Sequence, residues 1–102
     1  MKGEAMCSWL QIYADSKLKD HIVDALLERR LNDFYYSSCD KYALRDLLIS
    51  QREQVSGRKQ YGRFDLYIDY DRAVELVEYF YTKYGKDDIT CYMLQNITDF
   101  ES

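Results

Sequence analysis

Two stretches of the chain alternate apolar and polar residues with a period of two, the pattern of a half-buried β-strand. The first stretch is residues 8–14 and the second is residues 61–70. Each predicted strand therefore has one aliphatic side and one side of aromatic and charged residues. The aliphatic sides hold Leu10, Ile12, Phe64, Leu66 and Ile68, and the opposite sides hold Trp9, Gln11, Tyr13, Arg63, Asp65, Tyr67 and Asp69.

Two other stretches place apolar residues at the spacing of an amphipathic helix. We expect Asp15 or Ser16 to cap the first helix, and Asn32-Asp33 to end it. We expect Asp71 to cap the second helix, and Gly85 to end it, because glycine adopts a left-handed backbone without steric cost. The predicted buried positions are Leu18, Ile22, Ala25, Leu26 and Arg29 in the first helix, and Val74, Val77, Phe80 or Tyr81, and Tyr84 in the second.

The remaining patterned stretches are two β-prone runs, residues 34–39 and residues 89–97, followed by a tail at residues 98–102. The resulting order, β-α-β-β-α-β, is the split βαβ pattern of a ferredoxin-like sandwich. Because each crossover is right-handed, both helices are expected on one face of an antiparallel four-stranded sheet. The sequence therefore predicts an α+β fold with a single domain over residues 1–102 and its core in residues 8–97.

The other face of the predicted sheet has no helix to cover it. It would expose Trp9, Tyr13 and Tyr67 beside Arg63 and Asp65. The chain also has eleven tyrosines, four phenylalanines and one tryptophan, more than a domain of 102 residues can easily hide. Aromatic and charged residues on one uncovered face are typical of a self-complementary oligomer interface, so we expect a homo-oligomer.

Composition limits the class of protein. No apolar run approaches the ~18 residues needed to cross a membrane, and the first residues carry no targeting signal. We therefore expect a cytoplasmic, soluble protein that does not insert into membranes. Its three cysteines are an odd number without a C-x-x-C motif, which favours a reducing compartment over a disulfide framework.

Charge is unevenly distributed along the chain. The net charge is −4, which argues against general nucleic-acid binding. Residues 41–63 nevertheless carry six basic and two acidic residues, a local charge of +4 on an otherwise acidic body. Such a segment is typical of a site for an anion or an acidic partner. The candidate binding residues are Arg45, Arg52, Arg58, Lys59 and Arg63.

The candidate cations also have a purely structural interpretation. They would then lie on a solvated connection between strands two and three, residues 40–60, and form ion pairs with Glu53 and Asp65. In either case we expect Glu53 to anchor the base of the connection, since its carboxylate would lie near Arg58 and Arg63. Gly57 is expected to permit a turn or bulge where the chain re-enters the sheet.

Residues 53–58, Glu-Gln-Val-Ser-Gly-Arg, and residues 91–94, Cys-Tyr-Met-Leu, resemble segments of the PII-like signalling superfamily. Members of that superfamily are ferredoxin-like trimers with a long T-loop between strands two and three, and residues 40–60 match its place. The hexapeptide is most similar to a poorly characterised PII-like group associated with heavy-metal efflux systems. The resemblance spans about residues 8–97.

This resemblance implies a non-enzymatic, trimeric regulator whose T-loop-like connection docks on a membrane transporter or another acidic protein. The alternative is a sensor that binds a small molecule or a metal ion in the cleft between subunits, with a nucleotide or a divalent metal as ligand. The chain departs from classical PII proteins in the nucleotide-binding loop, which is reduced to residues 84–88 and carries Asp87 and Asp88. It also lacks a tyrosine-bearing T-loop tip. We therefore expect no cofactor.

Three other functions are weighed from the residues. Metal binding would need Cys7 and Cys39, expected at one end of the sheet, to meet Cys91 at the other end or His21 on a helix; we assign no metal site to one subunit. Catalysis lacks a nucleophile with an adjacent base, so we expect no enzyme. A nucleic-acid-binding sheet would use Trp9, Tyr13 and Tyr67, but the net acidity argues against it.

Overall fold

The computed structural model describes residues 5–42 and 58–100. The strands order as β2-β3-β1-β4 in one sheet, and every neighbouring pair is antiparallel. This arrangement confirms the predicted ferredoxin-like α+β fold. In chain order the elements are β1 (Ala5–Asp15), a 3-10 turn (Ser16–Leu18), α1 (Lys19–Glu28), β2 (Tyr35–Tyr42), β3 (Arg58–Ile68), α2 (Tyr70–Tyr84) and β4 (Ile89–Asp99). No helix in the described part of the chain is long and apolar enough to cross a membrane.

The hydrophobic core lies between the two helices and one face of the sheet. The period-two prediction holds: Leu10 and Ile12 of β1 and Phe64 and Leu66 of β3 are fully buried, while the residues between them point to the other face. Gly62 lies in the same row, and a Cβ there would meet the Tyr36 ring at 2.7 Å, so glycine makes room for that ring. The helices contribute Leu18, Ile22, Ala25, Leu26, Ala73, Leu76 and Phe80.

The first helix ends earlier than predicted. Arg30 has a left-handed backbone with φ 63°. Its N–H donates to Leu27 O at 2.9 Å, and the next N–H, that of Leu31, donates to Leu26 O at 2.9 Å. These two bonds form a Schellman turn, and the Leu31 side chain that follows it is buried in the core. The helix therefore ends before Asn32-Asp33, and the prediction that these two residues break it was wrong. At the other end, Asp15 accepts the Lys17 N–H and so caps the 3-10 turn, whereas α1 itself begins after Leu18 without a side-chain cap.

The second helix begins at a different cap from the predicted one. Asp69, with an extended backbone, accepts the Arg72 N–H at 3.2 Å. Asp71 instead lies inside the first turn, where its charge still favours the positive end of the helix dipole. At the other end, Gly85 has φ 79°, as expected for the residue that ends the helix.

The buried stripe of α2 was predicted correctly at Phe80 but is displaced at its other positions. Ala73, Leu76 and Phe80 are fully buried, whereas Val77 and Tyr84 lie half-buried at the margin of the core. Val74, the first predicted core position, is only half-buried. The prediction favoured larger apolar residues, but at the start of the helix the small Ala73 side chain is buried instead of Val74.

The outer strands are longer than predicted. β4 continues through Thr98 and Asp99, which pair with Met6 and Ala5, so the first two residues of the predicted tail are strand. A bulge interrupts this pairing, and Asn96 there has φ 62°. β2 and β3 likewise continue past the end of β1, which shortens the predicted connection at both ends.

Replacing Asp69 by alanine is expected to lower the free energy of unfolding by about 1 kcal/mol, because the N–H of Arg72 loses its acceptor. Asp71→Ala is the matched control: it removes a carboxylate of equal charge from the same turn but no capping bond. Its expected cost is only about 0.3–0.5 kcal/mol. Urea unfolding of both variants compares them, and equal losses would contradict the capping role of Asp69.

Candidate functional site: the β2–β3 ribbon and the open sheet face

A two-stranded ribbon extends from the sheet. We define it as the last residues of β2, residues 40–42, and the first residues of β3, residues 58–60, which pair with each other. The β1–β3 register ends where Asp15 pairs with Tyr61, so β1 does not support the ribbon. Among the predicted binding residues, the structure places Arg58 and Lys59 on this ribbon. Four other predicted residues of the connection, Arg45, Arg52, Glu53 and Gly57, lie outside the described residues.

Weak ion pairs tie the ribbon cations to the protein. Arg58 Nη1 lies 3.9 Å from Asp40 Oδ2, and Lys59 Nζ lies 3.8 Å from Asp15 Oδ2. The Arg58 and Lys59 side chains remain 57% and 61% exposed. Exposed pairs at such distances contribute little to stability, so both cations can exchange their partner at small cost. The firmer contact of Asp40 is the hydrogen bond that it accepts from Gln60 Nε2 at 2.6 Å, which joins the two strands.

Arg63 lies away from the ribbon. It is on the sheet face opposite the helices, where its Nε donates to Asp65 Oδ2 at 2.9 Å. This hydrogen bond and the charge of Asp65 raise the pKa of Arg63. The structure therefore separates Arg63 from Arg58 and Lys59, and it agrees with the structural interpretation for Arg63: an ion pair with Asp65.

We call the face opposite the helices the open face. Its centre is the Asp65 carboxylate, which accepts Trp9 Nε1 at 2.9 Å as well as Arg63. The Trp9 ring stacks on Tyr67 with centroids 6.1 Å apart, and Tyr35 meets Tyr67 edge-on at 6.4 Å. The predicted exposure of aromatic residues on this face is therefore observed. Tyr67 is 46% exposed, and Tyr92 and Leu94 of β4 are more than half exposed.

An aromatic cleft of about 340 Å³ lies where the open face meets the ribbon. Tyr13 and Tyr92 meet at an interplanar angle of 80°, and the Lys41 ammonium lies 5.0 Å from the centroid of the buried Tyr61 ring. Planar ligands can stack in such a corner, and Lys41 supplies a charge for an anionic group. The sequence did not predict this cleft, because its lining residues come from all four strands and become neighbours only when the strands pair. The lining residues are Tyr13, Cys39, Asp40, Lys41, Tyr42, Tyr61, Thr90 and Tyr92.

The loop after α2 is acidic. Asp88 pairs with Lys17 at 3.5 Å, and its backbone carbonyl accepts the Asp15 N–H. Asp87 is exposed. The loop also contains Lys86, so its two carboxylates are partly balanced by Lys17 and Lys86.

Several cations of the helical layer contact aromatic rings. Lys19 lies 4.4 Å from the Tyr36 ring centroid, Arg29 lies 4.1 Å from that of Tyr79, and Lys86 lies 5.2 Å from that of Tyr81. Separately, none of the salt bridges in residues 5–42 and 58–100 involves the exposed carboxylates of the two helices. These carboxylates are Asp20, Asp24, Glu28, Asp71, Glu75 and Glu78.

The cysteines are not placed as predicted. Cys39 pairs with Tyr61 at the ribbon end of the sheet, whereas Cys7 pairs with Ile97 at the opposite end. Cys91 pairs with Ile12 and lies closer to the Cys39 end. The expectation that Cys7 and Cys39 share one end was therefore wrong, because β2 runs parallel to β1 and reaches Cys39 only near its far end. In residues 5–42 and 58–100, no three His, Cys, Asp or Glu side chains are close enough to hold a metal ion.

A family model described as "Protein of unknown function (DUF3240)" matches residues 4–102. The chain belongs to the DUF3240 family. Solved structures similar to this DUF3240 protein include the "Crystal structure of a putative PII-like signaling protein" from Thermus thermophilus. That match has a TM-score of 0.63 and 16% identity, and it covers 96% of this chain and 92% of the other. The DUF3240 chain thus shares the PII-like fold. No curated protein matches it.

The buried Cys91 thiol of this DUF3240 protein is expected to react slowly. Burial raises its pKa to about 11, and only the thiolate is a good nucleophile. In a Cys7→Ser/Cys39→Ser variant, alkylation by iodoacetamide should therefore reach half its maximal rate near pH 11 rather than near the ordinary value of about 8.5. The urea-unfolded variant is the control and should titrate at the ordinary value. Identical profiles for the folded and unfolded protein would contradict the desolvation of Cys91.

Proposed function

We propose that this protein is a non-enzymatic PII-like regulator that acts as a homotrimer and docks on a protein partner through its basic ribbon. The observation that carries the proposal is the position of Arg58 and Lys59. Both side chains are mostly exposed, and they lie beyond the end of β1 on a ribbon that leaves the sheet. Arg45 and Arg52, in the segment between the two ribbon strands, belong to the same proposed surface.

Charge identifies the kind of partner. The ribbon carries Lys41, Arg58 and Lys59 against one acid, Asp40, in a chain of net charge −4. Opposite potentials on two surfaces accelerate association and exclude partners of the wrong sign. An acidic protein surface fits the ribbon, and nucleic acid fits the acidic body poorly. We propose that the partner is an acidic patch on the cytoplasmic side of a membrane transporter, and heavy-metal efflux transporters are the first class to test because the sequence resemblance implies them.

The assembly and the mode of action have separate support. The open face supports self-association, because no element in the described part of the chain covers its aromatic side chains. The number of three subunits is what the PII-like resemblance implies. The similar Thermus protein is named as a signalling protein, which supports regulation without catalysis. Glu53 and Gly57 are assigned structural roles at the base of the connection. The protein would act in the cytoplasm, without inserting into the membrane.

The docking proposal is tested with an Arg58→Ala/Lys59→Ala variant. Binding to an acidic partner captured from the source cell should fall about tenfold or more, because two charge-assisted contacts are lost. It should also depend less on salt than the binding of the wild type does.

The matched control is Lys17→Ala/Arg30→Gln, which removes two exposed positive charges outside the ribbon. It should retain wild-type binding. Equal binding by the ribbon variant and the wild type would refute docking through the ribbon.

The aromatic cleft favours a second candidate function, a small-molecule or metal-ion sensor. Its four tyrosines and Lys41 would bind a planar anionic ligand, and in the proposed trimer the cleft would lie near the junction of two subunits. Nucleotides and divalent metals are the ligand classes to test, although no cofactor is assigned.

A sensor should show ligand-dependent stability. A ligand at a hundred times its dissociation constant adds about 2.7 kcal/mol to the free energy of unfolding. Thermal unfolding with adenine nucleotides, zinc or copper should then give a large shift, and Tyr13→Ala/Lys41→Ala should remove it. If no ligand shifts the melting temperature, the sensor fails and docking remains the better account.

A further inference from the structure

The Asp65 carboxylate lies on the open face but is mostly covered by neighbouring side chains. Asp65 lies on the central strand β3, between Gln11 of β1 and Tyr35 of β2. Its side chain is only 13% exposed, although no element among residues 5–42 and 58–100 forms a layer over this face of the sheet. The side chains of Trp9 and Arg63 provide the cover, and each donates one hydrogen bond to a different oxygen at 2.9 Å.

These two bonds fix side chains that would otherwise move. The Trp9 indole is held by Asp65 at its nitrogen and by Tyr67 through ring stacking. The Arg63 guanidinium is held against the sheet by its own neighbour on the strand. A side chain that is already fixed loses less conformational entropy when a partner covers it, so such fixing increases affinity without adding a contact.

The charge of the open face indicates what covers it. Among residues 9–13, 35–37, 63–67 and 90–94, Arg63 and Asp65 are the only charged side chains, and they neutralise each other. A partner of strong single charge therefore gains nothing there. Exposed aromatic and aliphatic side chains surround the pair, namely Tyr35, Tyr67, Tyr92 and Leu94. A second copy of this chain presents the same neutral, aromatic face, so copies related by a rotation axis can pack these faces around it without opposing like charges.

We propose that Asp65 is the positioning residue of this self-association surface. Its carboxylate fixes Trp9 and Arg63 in the separate subunit, and the open face of a second copy then packs on the fixed Trp9 and Tyr67 rings. The inference rests on the proposed homotrimer, and it adds which residue prepares the face and which ring is the anchor. Buried tryptophan and arginine are the residue types that most often dominate interface affinity.

Trp9 is the only tryptophan of the chain, so its fluorescence reports this face alone. In a dilution series, light scattering gives the mass and the Trp9 emission gives the burial of the indole. For the wild type, the loss of assembled mass and the red shift of the emission should occur at the same concentration. Acrylamide quenching of the dissociated subunit then measures how firmly Trp9 is held before assembly.

Two variants separate the bonds of Asp65. Asp65→Asn keeps an oxygen for Trp9 but loses the ion pair with Arg63. The concentration for half-assembly should rise about tenfold, and acrylamide should quench Trp9 in the dissociated subunit as strongly as it does in the wild type.

Asp65→Ala loses both bonds. Half-assembly should then need a still higher concentration, and acrylamide should quench Trp9 more strongly than in the wild type. Asp24→Asn is the control, because it removes the same charge from an exposed position of α1, on the helical side of the sheet, and its half-assembly concentration should equal that of the wild type. Circular dichroism verifies that each variant is folded.

The outcomes distinguish this inference from the function on which it rests. If folded Asp65→Asn and Asp65→Ala assemble at the wild-type concentration, Asp65 does not position the surface, and the homotrimer stands. If the wild type assembles while the Trp9 emission stays constant, the open face is not the interface, and the inference fails. If the wild type remains a single chain at every concentration, the inference and the proposed homotrimer both fail.

Discussion

The structure depends on one constraint: two helices cover one face of a four-stranded sheet, and no other described element covers the opposite face. Because side chains alternate along a strand, the residues of β1 and β3 lie in turn on the core face and on the solvent-exposed face of the sheet. Leu10, Ile12, Phe64 and Leu66 meet the helices and are fully buried. The residues between them point outward, and there the chain uses aromatic rings and one ion pair instead of scattered charges. The proposed assembly follows from this division.

The open face is stabilised internally before any partner arrives. Asp65 accepts two hydrogen bonds, and ring stacking places Trp9 on Tyr67. Such a satisfied polar group at the centre of an apolar surface carries no large desolvation penalty when it is covered. The ribbon differs in kind. Its cations have long, exposed ion pairs, so they remain available to an acidic surface. Assembly and docking are therefore assigned to separate surfaces of one sheet.

Much of the fold follows from local patterns in the sequence. The alternation around Leu10 and Leu66 predicts both central strands, and the helical spacing predicts both helices. The errors lie at helix ends, where more than one nearby residue could cap or end the helix. Asp69 and Asp71 are both good caps, and the choice depends on where β3 ends. Arg30 adopts a left-handed turn that sequence would assign to glycine or asparagine, and only the buried Leu31 beside it explains the early end of the helix.

The site was less predictable, because it depends on which strands are neighbours. Arg58, Lys59 and Arg63 form one basic group along the chain, yet they separate once β3 extends: two lie on the ribbon and one lies beside Asp65. The aromatic cleft combines Tyr13, Tyr61 and Tyr92 from three strands, so no short motif contains it. The predicted positions of the cysteines failed for the same reason, since strand direction decides which end of the sheet each residue reaches.

The central claim is that the open face is an interface between copies of this chain. The most direct test is the mass of the wild-type protein in solution, measured by native mass spectrometry at low ionic strength and by light scattering at physiological salt. The account predicts the mass of three chains under both conditions. A mass of one chain at concentrations well above those in the cell would contradict it.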